Sequence, residues 1–109
     1  MNISDILQRC SHLKFEEKNV ISEDYVEGVF LQEDSKEWEE ILSDILGPAT
    51  KGTGEEATQS FLDLTIKYGG ILDDQTLFYK KFKESSIIAM IWPWKDNNQA
   101  TLKIVRFEE

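Results

Sequence analysis

The chain has 109 residues, 40% hydrophobic and 30% charged, a balance that fits one folded domain spanning residues 1–109 and is too apolar for a disordered chain. Acids outnumber bases 21 to 12, for a formal net charge of −9, which argues against nucleic acid and against anionic membranes as partners, because both are bound by neutralising phosphates with Lys and Arg. The excess lies entirely in residues 1–56, with 14 acids and 5 bases, whereas residues 57–109 carry 7 of each.

In chain order, Ile3, Ile6, Leu7, Cys10 and Leu13 recur at steps of three and four, which predicts a helix near residues 3–14 with Asn2 or Ser4 as its cap. Residues 15–24 mix acids with Val20 and Ile21 without a period and read as a loop whose two aliphatics pack inward. Residues 25–32 are largely β-branched or aromatic, with Tyr25, Val29 and Leu31 on one face and Val26 and Phe30 on the other, and predict a strand. Gly28 in its middle marks a bulge or a close approach by another part of the chain.

Trp38, Ile41, Leu42, Ile45 and Leu46 form one apolar stripe at i, i+3, i+4, i+7 and i+8, an amphipathic helix. Asp34 with Glu37 has the spacing of a capping box, and Gly47-Pro48 is a stop. The breaker-rich residues 47–54 predict a mobile connection. Thr53 and Glu56 then suggest a second capping box for a helix over 54–68, with Phe61, Leu64, Thr65 and Tyr68 on one face and Gly69-Gly70 ending it. Leu62, Leu64, Ile66 and Tyr68 also alternate with polar residues, so strand competes with helix over 57–68.

The last third reads as a meander of strands at 75–83, 86–94 and 100–107, with turns at Glu84-Ser85 and at Lys95 to Gln99. Residues 74–85 have a helical alternative, since Asp74 can cap and Phe78 and Phe82 are four apart. The order α-β-α-α-β-β-β predicts an α+β domain: a mainly antiparallel sheet of about four strands with helices packed on one face.

The longest apolar run, Ile87 to Trp94, is far shorter than a membrane-spanning helix. The first residues lack the basic start of a signal peptide, and the one cysteine has no internal partner, so the expected compartment is cytoplasmic.

No motif for a cofactor, a metal or catalysis emerges. Cys10 and His12 are two apart and diverge on a helix, Cys10 belongs to the apolar stripe, and no second His or Cys completes a zinc set. The acid runs Glu37 to Glu40 and Asp73-Asp74 read as solvated faces and caps. Gly47 to Gly54 lacks the Gly-Lys-Ser/Thr triplet of a phosphate loop. Lys80, Lys81 and Lys83 interleave with Phe78, Tyr79 and Phe82, but a strand splits those aromatics between faces, unlike a base-stacking platform.

The informative stretch is Ile87 to Trp94. Ile87, Ala89, Ile91 and Pro93 point one way, and Ile88, Met90, Trp92 and Trp94 the other, so both faces are apolar. Leu102 and Ile104 against Val105 and Phe107 repeat this more mildly. Either the chain's own segments sandwich this strand, or a partner covers one face. The leading functional expectation is a non-enzymatic domain that binds another protein or a second copy of itself through Ile88, Met90, Trp92, Trp94 and Phe107. The alternatives are a small-molecule site or small enzyme between the sheet and the 47–54 loop, using Tyr79, Tyr68 and Lys51, and an acidic mimic of nucleic acid resting on charge alone. Pro93, unable to donate a ladder hydrogen bond, marks an edge or bulge.

Overall fold

A computed structural model describes residues 2–52, 54–96 and 98–108. Its first helix, α1 (Ile3–Arg9), opens on a capping box in which Asn2 accepts from the Asp5 amide and Asp5 accepts from the Asn2 amide. The helix ends before the predicted residue 14, with Cys10 at its cap. The segment read as a loop contains a strand, β1 (Glu17–Ile21), paired antiparallel to β2 (Tyr25–Leu31) through a tight turn closed by Ser22 and Tyr25. Val20 and Ile21 are exposed there rather than packed inward.

A 3₁₀ turn, Gln32–Asp34, runs directly into α2 (Ser35–Leu46). Asp34 therefore lies in helical conformation and its side chain makes no capping bond, which replaces the predicted capping box. The proposed cap Thr53 lies outside the described residues. The third helix, α3 (Gln59–Thr65), starts later than predicted, at Thr58, whose hydroxyl accepts from the Phe61 amide, and continues as a 3₁₀ turn, Ile66–Tyr68. Helix thus wins over strand because Phe61, Leu64 and Tyr68 share one inward side.

Strands β3 (Thr76–Lys81), β4 (Ser86–Pro93) and β5 (Gln99–Phe107) form the meander. With β1 counted, the antiparallel sheet has five strands rather than about four, in the order β1-β2-β5-β4-β3. The hairpin of β1 and β2 joins the meander through β2 against β5, so the last strand is central. Pro93 costs the sheet nothing, because β3 reaches only to Ile91 and leaves the end of β4 unpaired on that side.

The fold is α+β, and both faces of its sheet are covered. On one face, Ile3 and Ile6 of α1 and Trp38, Leu42, Ile45 and Leu46 of α2 pack on Val26, Phe30, Ile87, Ala89, Leu102 and Ile104. On the other, Phe61, Leu64, Tyr68 and Ile71 pack on Leu77, Ile88, Met90 and Val105. The predicted helix-covered face is that of α1 and α2, and α3 takes the second. Among the described residues no helix is long and apolar enough to cross a membrane.

Candidate functional site

The face proposed for a partner is occupied by the chain itself. Ile88 and Met90 are fully buried, and Trp92 and Phe107 are half-buried. Only Trp94 is exposed, at 38%, with its indole N–H donating to Thr101 Oγ1 at 2.9 Å. The reading of these five residues as one open interface therefore gives way to the sandwiched arrangement. The cover is held by polar as well as apolar groups. Lys103, on the central strand, points to this face with its Nζ 3.7 Å from the Trp92 ring centroid, donates to the Tyr68 carbonyl at 2.8 Å and lies 3.7 Å from Glu27 Oε1. Burial lowers the Lys103 pKa, and the Glu27 carboxylate opposes that shift. Tyr25 OH donates to the same carboxylate at 2.6 Å, and burial first, then Glu27, raises the phenol pKa.

Gly69 makes this approach possible. Its φ is +102°, and a Cβ there would collide with the Trp92 ring and come within 3.1 Å of Lys103 Nζ. Only glycine lets the chain turn left-handed so close to the indole.

The three side chains suggested for a small-molecule pocket do not converge. Lys51 is 2% exposed, and its ammonium donates to the carbonyls of Gly52, Asp73 and Gln75. Its backbone pairs with Leu77 beside β3. Tyr79 packs against Phe61 and Tyr68 against Tyr25. Lys51 thus tethers the 47–54 connection to the sheet.

Open concavities lie on both sides of the sheet, one of about 590 Å³ beside Tyr25, Tyr68 and Lys103 and two adjoining ones between α1 and β1. A cleft of about 530 Å³ has an apolar lining from Leu7, Cys10, Leu13, Phe15, Ile21 and Trp38, with His12, Lys14 and Lys18 at its polar positions. A second cleft, about 580 Å³, shares Leu7 and Ile21 with it and continues past Ile3 and Ser22 to Arg106. Every residue of β1 is exposed, Ile21 at 53%, and β1 is a terminal strand of the sheet.

Local sequence explains this geometry. The β1–β2 register shifts between Lys18 and Val20, leaving Asn19 as the extra residue. Without the shift, Lys18 and Ile21 would face opposite sides; with it they stand opposite Gly28 and Val26 and share the α1 side. Gly28 serves as the close approach its position suggested: a Cβ there would lie 2.6 Å from the Phe15 ring, so glycine leaves room for Phe15 to pack on Trp38, ring centroids 5.2 Å apart.

Cys10 and His12 both line the cleft, but the thiol is buried, its pKa pushed up to about 11 by that burial and only partly offset by Arg9. A protonated thiol is a poor nucleophile. His12 is turned outward with Nε2 3.6 Å from Glu37 Oε2. Among the described residues no three His, Cys, Asp or Glu side chains are placed to hold a metal ion.

Sequence reasoning missed Lys14, Phe15, Lys18 and Ile21 as a group because residues 15–24 have no period. The bulge is what erases it: an inserted residue resets the alternation in the middle of a five-residue strand. The usable signal was Gly28 in the neighbouring strand. Compared with protein-family models, with curated proteins and with solved structures, the chain gives no match.

Proposed function

We propose that this chain is a non-enzymatic, protein-binding domain of the cytoplasm that receives an extended segment of a partner along the α1–β1 side. The observation carrying this reading is the pair of clefts on either side of Leu7 and Ile21, bordered by a strand exposed along its whole length. A terminal strand offers backbone groups on its outer edge, and the cleft offers an apolar floor for alternate side chains, the two components of strand-addition recognition. Lys18 and the bulge at Asn19 limit unselective pairing, so side chains in the cleft select the partner. The volume also suits a small ligand, but the exposed strand beside it favours a peptide.

The test is selection of binders from a random ten-residue peptide library on the full chain, followed by titration against variants. Binders lose at least tenfold in affinity on Ile21→Glu and keep it on Ile66→Glu, a change at an exposed residue of the 3₁₀ turn that follows α3. Binders indifferent to Ile21→Glu but weakened by Ile66→Glu or Trp94→Glu overturn the reading.

A further inference from the structure

We infer that the partner segment presents a carboxylate to the α1–β1 cleft, next to an apolar side chain that fills it. The inference rests on the docking reading above and adds the chemistry of the partner. A chain with 21 acids and 12 bases places no carboxylate among the described lining residues of this cleft, but does place Lys14 and Lys18 there. Both lysines are exposed, and neither makes a hydrogen bond or ion pair among the described residues.

Several other cations are used internally, and Lys36, Lys67, Lys83 and Lys95, which like Lys14 and Lys18 have no partner among the described residues, line neither α1–β1 cleft. Arg9 pairs with Asp44 at 3.1 Å, Arg106 with Asp24 at 3.2 Å, and Lys51 is spent on three carbonyls. The acids nearest in sequence do not cancel the lysines. Glu17 stands opposite Val29, on the far side of the sheet from Lys18 opposite Gly28. Glu37 is 3.6 Å from His12, leaving the histidine as the lining group with a carboxylate neighbour. Glu16 is not among the lining residues.

The net charge of −9 repels an acidic segment at long range, but screening cuts that field off within about 8 Å at physiological salt, so the two ammonium groups set the preference at contact. The same net charge disfavours a second copy as occupant. Trp38, Cys10 and Leu7 supply the apolar floor beneath them.

The experiment extends the library selection to a double-mutant cycle. Each acid in the selected peptides is replaced by its amide, and wild type is compared with the exposed-site variant Lys14→Gln/Lys18→Gln, which leaves the apolar floor intact. One acid is expected whose amide weakens binding about three- to tenfold on wild type and has no effect on the double variant, the size of one or two solvent-exposed ion pairs. Binders that need Ile21 but carry no acid, or show no coupling to the lysines, overturn this inference and leave the docking reading standing. Binders indifferent to Ile21→Glu overturn both. A wild-type dimer dissolved by Ile21→Glu, with no peptide captured, assigns the cleft to a second copy, and displacement of every peptide by laurate assigns it to a fatty acid; either outcome overturns the inference.

Discussion

The two faces of one sheet are covered by unequal means. On the α1–α2 face, a twelve-residue helix buries Trp38, Leu42, Ile45 and Leu46 against buried strand residues, and α1 adds Ile3 and Ile6. On the opposite face the cover is a seven-residue helix and a 3₁₀ turn, with Phe61, Leu64 and Tyr68 only partly buried and a lysine among them. The difference teaches that a strand with two apolar faces needs no partner when a short aromatic segment returns across it. The thinner cover is held at points: the Lys103 ammonium on Trp92 and the Tyr68 carbonyl, the Gly69 turn against the indole, the tilted ring pair Phe61–Tyr79 and the stacked pair Tyr25–Tyr68.

That contrast makes its largest prediction for truncations. Trp38→Ala empties a fully buried volume between Phe15 and Phe30 and is expected to cost about 3–5 kcal/mol in chemical denaturation. Phe61→Ala opens a site already in contact with solvent and is expected to cost about 1–2 kcal/mol, the value of partial apolar burial. Equal losses would mean that the α3 cover is as integral to the core as α2.

Gly69→Ala comes next. It forces a left-handed backbone on alanine and drives a methyl group into the Trp92 ring, at about 2–3 kcal/mol in all. Its location sharpens the comparison more than its size. Hydrogen exchange is expected to accelerate across residues 59–71 while α2 keeps its protection, because the clash acts on the α3 cover alone. Acceleration spread evenly over both faces would show that the two unfold as one unit.

How much of this was legible follows from the same physics. The stripe from Trp38 to Leu46 and the meander after residue 75 are long enough for periodicity to specify them, and the structure has them as read. The paired apolar faces of Ile87 to Trp94 were also visible, but the sequence does not state what covers a face. The cover depends on Phe61, Leu64 and Tyr68 returning to Ile88 and Met90, a tertiary event with no local sign beyond one apolar side of a short helix. The α1–β1 cleft was the least legible, since it is made by a bulge that removes the alternation by which strands are recognised.

Alkaline pH separates the faces through Cys10 on one and Tyr25 on the other, where Lys103, its pKa lowered by burial, acts in the opposite sense to Tyr25. Cys10, on the α1 side, has its pKa raised by burial from the usual 9.0 to about 11. The folded state thus keeps a proton that the unfolded chain loses. The stability this contributes is complete below pH 9 and is lost as pH rises from 9 toward 11, at up to about 1.4 kcal/mol per pH unit. Tyr25, on the other face, is raised above its usual 10.0 by burial and by Glu27, so its contribution has the same sign and begins to fade above pH 10. Between pH 8 and 11, stability from denaturation curves is expected to fall less steeply than in wild type from pH 9 upward for Cys10→Ala and only from pH 10 upward for Tyr25→Phe. A Cys10→Ala variant as pH-sensitive as wild type would mean that the thiol is not shielded in the folded chain.

The smallest effects decide most about function. Ile21 is 53% exposed on β1 and Ile66 is 73% exposed on the outer side of the α3 cover. Neither gives up much buried area, so Ile21→Ser and Ile66→Ser are each expected to fall within about 0.5 kcal/mol of wild type in denaturant. Because stability is unchanged, any difference in binding between the two variants belongs to the surface and not to the fold. Ile21 borders both clefts on a strand with an open edge, while Ile66 projects from a helix whose inner side is already taken by the sheet. Loss of peptide binding on Ile21→Ser alone therefore assigns recognition to the α1–β1 side, whereas loss on Ile66→Ser alone assigns it to the thinner cover and overturns that ranking of the two sides.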